Sequence, residues 1–107
     1  MSVKITVSGE VVTAYLDGEI DHHTARNIRA QIDAAIGMCE PKRLILDMGN
    51  ITFMDSSGVG LIMGRYRLMQ SHGGEVAVEN VSPRIERMLR LSGIGQLARI
   101  SGKEQTE

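Results

Sequence analysis

Phe53-Met54-Asp55-Ser56-Ser57-Gly58-Val59-Gly60 is the stretch on which the fold turns. Ile51-Thr52-Phe53-Met54, leading into it, reads as a strand. Beyond it, Val59, Ile62, Met63, Tyr66 and Met69 recur at helical spacing. Asp55, Ser56 and Ser57 stand between the two patterns, and Asp and Ser are the side chains that accept hydrogen bonds from the first N–H groups of a helix. The junction is therefore a strand running directly into a capped helix, which starts at Asp55, Ser56 or Ser57.

The same grammar repeats on either side. Val3, Ile5 and Val7 alternate with Lys4 and Thr6, Ser8-Gly9 marks a turn, and alternation resumes through Val12, Ala14 and Leu16, which predicts a β-hairpin. Asp21-His22-His23-Thr24 then opens a second helical pattern, with Ala25, Ile28, Ile32, Ala35 and Ile36 on one face, Asp21 or Thr24 as cap, and Gly37 as a stop signal. Leu44-Ile45-Leu46 predicts a strand covered on both faces or central in its sheet, and Asp47 to Asn50 reads as a loop. Past the second helix, Gly73-Gly74 precedes an alternating Glu75–Glu79 strand. Ser82-Pro83 starts a third helix around Ile85, Met88 and Leu89, and Leu97 to Ile100 suggests a closing strand. Repeated strand–helix–strand units require parallel pairing, while the hairpin adds an antiparallel strand. The expected architecture is α/β: a mixed sheet of four to five strands, three to four helices, and a polar tail from about Ser101.

A chain of 107 residues with 42% apolar content suits one globular domain. Its net charge of -1 provides no basic field for nucleic acid or an anionic membrane. No secretory start or spanning apolar run is present, and the lone Cys39 suits a reducing cytoplasm. Aromatics are scarce, so the core must be built from Ile, Leu, Val and seven Met.

Three kinds of chemistry fit this pattern poorly. A serine hydrolase of the elbow type needs Gly-x-Ser-x-Gly, which is absent around Ser56. His22 and His23 are adjacent, so their directions on a helix diverge by about a hundred degrees and lack the i, i+4 spacing of metal ligands. Gly58, Gly60 and Gly64 lie inside a helix, without the lysine of a phosphate-binding loop; they imply either close backbone packing or a surface kept flat. No catalytic residue, metal or cofactor is expected. On residue type alone, Asp55-Ser56-Ser57 is more simply a helix cap than a functional site.

Two segments add a resemblance. Gly18-Glu19-Ile20-Asp21-His22-His23-Thr24-Ala25, and Phe53 to Gly60 followed by Gly64-Arg65-Tyr66, resemble the STAS-domain anti-sigma factor antagonists. Asp-His-His-Thr and Gly-Arg-Tyr are most similar to the sporulation branch rather than the general-stress branch. The resemblance covers nearly the whole chain. It implies a STAS fold and a non-enzymatic switch. The unphosphorylated protein would bind an anti-sigma factor that is also an ATP- or ADP-bound serine kinase, releasing a sporulation sigma factor of the sigma F type. The kinase would phosphorylate Ser56, and a serine phosphatase would restore the active form. Asp21, His22, Asp55, Ser56, Ser57 and Gly58 would form the partner-binding surface. The alternatives it leaves are a general-stress antagonist and a STAS sensor for a small ligand or nucleotide.

Overall fold

The predicted hairpin forms from β1 (Ser2–Ser8) and β2 (Val11–Ile20), joined at Gly9, whose φ of 58° needs a glycine. The computed structural model describes residues 2–103. After the hairpin come α1 (His22–Cys39), β3 (Arg43–Met54), α2 (Ser56–Ser71), β4 (Glu75–Val81), α3 (Pro83–Leu91), a 3-10 turn at Ile94–Gln96 and β5 (Arg99–Gly102). Residues 104–107 of the expected polar tail lie outside the described residues, while Ser101 and Gly102 close β5.

The sheet order is β1-β2-β3-β4-β5, antiparallel at the first pair and parallel at the rest. Right-handed crossovers that always step in the same direction set α1, α2 and α3 on one face. Burial agrees: Val12, Ala14, Leu16, Leu44, Leu46, Met48, Val76 and Val78 are all buried on that face. Ile28, Ile32 and Ile36 of α1, Leu61, Ile62 and Met69 of α2, and Ile85 and Leu89 of α3 pack onto it as one core. The other face carries Lys4, Tyr15, Arg43, Glu75 and Arg99 into solvent. Leu44-Ile45-Leu46 is therefore central in the sheet but covered on one face only.

Two expectations are corrected. Asp47 to Asn50 is not a loop; β3 continues through it as a bulged strand. Buried positions along β3 run Leu44, Leu46, Met48, then Ile51 and Met54. Each lengthening of the step from two residues to three coincides with a register break against β2, so the inserted residue keeps the apolar side chains facing the helices. Asp47 stabilises the first bulge: its Oδ1 accepts the Gly49 N–H at 2.9 Å and its Oδ2 accepts Asn80 Nδ2 at 2.8 Å. Nor does α1 stop at Gly37. It runs to Cys39 and ends on Glu40, left-handed at φ 45°, ahead of Pro41, which cannot continue a helix.

Candidate functional site

β2 and β3 pair in parallel up to Ile20 and Met54, so the next residue of each strand opens a helix on the same end of the sheet. The Asp55 N–H donates to the Ile20 carbonyl at 3.1 Å, which ties the two helix starts together. Asp21 caps α1: its Oδ1 accepts from the N–H groups of His23 and Thr24, both at 2.9 Å. Thr24 Oγ1 accepts the Asp21 N–H at 2.9 Å, completing a reciprocal box with threonine in the place usually held by Glu or Gln. The Thr24 N–H, and after it that of His23, holds the Asp21 carboxyl below the usual carboxylate range, against the opposing effect of partial desolvation.

Asp55 caps α2, its Oδ1 accepting the Ser57 N–H at 2.8 Å. The cap is thus supplied by the carboxylate, and neither serine side chain is needed for it. Ser56, the first residue of α2, is exposed; Ser57 is half-buried. Gly58 departs from expectation. It is buried rather than at the surface, and a Cβ there would run into the Met54 side chain, so its role is close packing of α2 on the end of β3. Gly60 and Gly64 are different: a Cβ at either would meet nothing within 4 Å. The glycine strip therefore contains both of the expected roles, one in each part.

His22 and His23 also differ from the diverging arrangement. Their ring centroids lie 3.9 Å apart with planes tilted by 38°, because rotation of the side chains offsets the angular step of the helix. Among the described residues, no group of three or more His, Cys, Asp or Glu is placed to hold a metal ion.

A groove of about 360 Å³ runs between α1 and α2 from this end of the sheet. His22, Arg26 and Arg29 form its α1 wall, and Ser57, Gly60 and Gly64 its α2 side. Arg65 closes it and is 6% exposed. Arg65 Nε lies 2.9 Å from Asp33 Oδ1, an ion pair joining the two helices. Burial lowers the Arg65 pKa, Asp33 opposes that shift, and nearby Arg29 adds to it. Helical periodicity does not single out these arginines, because a charged residue on a helix normally faces solvent. The available signal was their spacing: 22, 26 and 29 on α1 and 57, 60, 64 and 65 on α2 are each one helical stripe.

The sequence model for the STAS domain matches residues 2–106. The chain belongs to the STAS domain family. This STAS chain is 43% identical over 94 residues to the anti-sigma F factor antagonist of Paenibacillus polymyxa, covering 88% of the chain and 80% of the relative. It is 38% identical over 99 residues to that of Lysinibacillus sphaericus, covering 92% and 85%. Its fold matches the anti-sigma factor antagonist SpoIIAA in its unphosphorylated form with a TM-score of 0.81 and 34% identity, covering 99% of this chain and 90% of that one. The Bacillus SpoIIAA in its phosphorylated form matches with a TM-score of 0.74 and 34% identity, covering 99% and 93%. The STAS fold expected from the two motifs is thus found, with five strands and three α-helices among the described residues.

Proposed function

We propose that this STAS chain is an anti-sigma factor antagonist of the sporulation type, switched by phosphorylation of Ser56. The unphosphorylated protein binds an anti-sigma factor and so releases a sigma factor of the sigma F type. The anti-sigma factor is also a serine kinase carrying ATP or ADP; it phosphorylates Ser56 and lets go of the product, and a serine phosphatase reverses the step. The protein works as a cytoplasmic binding switch and not as an enzyme. The identity of 43% and 38% with anti-sigma F factor antagonists supports the sporulation pathway over the general-stress one.

One observation carries the choice of Ser56. Asp55 already caps α2, which leaves the Ser56 side chain exposed at the first helical position with no structural task to explain it. A phosphate there adds a charge of about -1.5 to -2, and the N-terminal end of a helix favours that charge. Asp55, beside it, opposes the charge. The two effects offset one another within the fold, so phosphorylation acts locally, placing bulk and negative charge in the middle of the docking surface made by Asp21, His22, Asp55, Ser56 and Ser57.

The test is incubation with the kinase and ATP, followed by intact-mass measurement and site mapping. One phosphoryl group on Ser56, absent in Ser56→Ala, is the expected result. Phosphate on Ser57 instead, or uptake by Ser56→Ala, removes the site assignment. Saturable binding of a nucleotide to this chain alone, with no partner binding, would replace the antagonist by a sensor module.

A further inference from the structure

The groove between α1 and α2 is unbalanced in charge. Arg26, Arg29 and Arg65 line it, no carboxylate is among its described lining residues, and Asp33, beside Arg65, is committed to it. Even that contact is incomplete. Arg65 Nε sits close to Asp33 Oδ1 but off the hydrogen-bond axis, and Arg65 Nη1 is buried with no acceptor among the described residues. A buried charged donor without an acceptor is costly in a fold that otherwise satisfies its groups. Arg29, which already disfavours the charge on Arg65, adds to that cost.

The floor of the groove supplies an independent observation. Gly60 and Gly64 lie inside α2, where any other ordinary residue would favour the helix. No neighbour requires a glycine at either place, since a Cβ would enter open space. What the two glycines preserve is the opening itself, and a bare backbone over which another chain can pass closely.

We propose that this groove seats an acidic side chain of the anti-sigma partner, whose carboxylate supplies the acceptor that Arg65 lacks and neutralises Arg26 and Arg29. The inference rests on the antagonist reading and deepens it. The groove begins at His22 and Ser57, so it continues directly from the end of the sheet that carries Asp21, Asp55 and Ser56. It opens to solvent, as suits a projecting side chain on a protein surface. The footprint then has two signs, an acidic rim at the helix starts and a basic groove behind them. A partner bearing the complementary pair docks in one orientation only.

The experiment is calorimetric titration of the ADP-loaded cognate anti-sigma factor kinase with the unphosphorylated chain at low and moderate salt. The double variant Arg26→Gln/Arg29→Gln should bind about tenfold or more weakly at low salt, with a shallower loss of affinity as salt rises. Gly64→Met, which fills the groove without changing charge, should weaken binding comparably while retaining the native circular dichroism. Arg99→Gln, on the far edge strand, should bind as wild type. One acidic residue of the kinase, replaced by its amide, should show an effect that is not additive with Arg29→Gln. If both groove variants bind as wild type does, the groove proposal is overturned and the antagonist reading stands. If the wild-type chain itself fails to bind, the antagonist reading falls. If inorganic phosphate fills the groove and competes with the kinase, the occupant is a small anion and the proposal is overturned.

Discussion

The Asp55 N–H donates to the Ile20 carbonyl across 3.1 Å, and this one bond makes the two helix starts a single surface. It lies one residue beyond the last paired position of β2 and β3, so Asp21 and Asp55 follow strand ends that are already in register. Two caps far apart in sequence become neighbours for a reason of topology: consecutive parallel strands deliver their helices to the same end of the sheet. The proposed docking surface therefore rests on hydrogen-bonded strand ends and helix caps, which hold their geometry more rigidly than a loop.

That rigidity sets the first prediction. Ser56→Asp should leave the far-ultraviolet circular dichroism and the unfolding midpoint close to wild type, because Asp55 retains the α2 cap. The same substitution should weaken binding to the anti-sigma factor by several hundredfold, as expected for a penalty of about 3–4 kcal/mol in a tight interface. Loss of helix signal in Ser56→Asp, or in the phosphorylated chain, would show that the switch works through the fold and not through local repulsion.

The glycines of α2 should part company when replaced. Gly58→Ala pushes a methyl group into Met54, and overpacking of this kind typically costs about 1–3 kcal/mol, which exceeds the roughly 1 kcal/mol gained in helix propensity. Gly64→Ala meets nothing within 4 Å and should instead be more stable by about 0.5–1 kcal/mol. Urea unfolding of the two variants decides the matter, and equal signs would mean that α2 is seated differently on β3.

These positions also show how far the sequence could be read. The strand and helix order, the hairpin and both caps followed from alternation, helical spacing and residue type, because those signals are local. Asp47 to Asn50 reads as a loop because Gly49 and Asn50 are poor strand residues, and the contacts that hold the bulge in the sheet, pairing with β2 and β4 and the Asp47–Asn80 hydrogen bond, are distant in sequence. The burial of Arg65 is not legible locally because it depends on α1, thirty-odd positions away, presenting Asp33 to it. The burial of Gly58 likewise depends on where the Met54 side chain turns, which a sequence pattern does not encode.

The Asp33–Arg65 pair yields a third prediction. Asp33→Ala leaves a buried guanidinium without its counter-charge and should destabilise the domain by about 2–3 kcal/mol, below the usual range for a fully buried pair because the Asp33 side chain is 36% exposed. Joint replacement by Asp33→Leu and Arg65→Met, which removes both charges, should recover much of that loss. Chemical denaturation of the single and double variants measures both. A single variant as stable as wild type would mean that solvent already screens the Arg65 charge.

Acid should act through Asp21. Its carboxyl is held below the ordinary carboxylate range by the Thr24 N–H and, after it, the His23 N–H, so its pKa is lower folded than unfolded. A group depressed in this way contributes its full stability above the unfolded value of about 3.9, and that contribution is lost as pH falls through the folded value. Asp21→Asn keeps an oxygen to accept the two N–H groups but cannot ionise. The melting temperature of wild type should therefore exceed that of Asp21→Asn at neutral pH, and the gap should close below roughly pH 4 as the wild-type carboxyl takes up its proton. Thermal melts of both proteins across that range test the sign. A gap that stays constant into acid would place the stabilisation in the hydrogen-bond geometry alone and not in the charge.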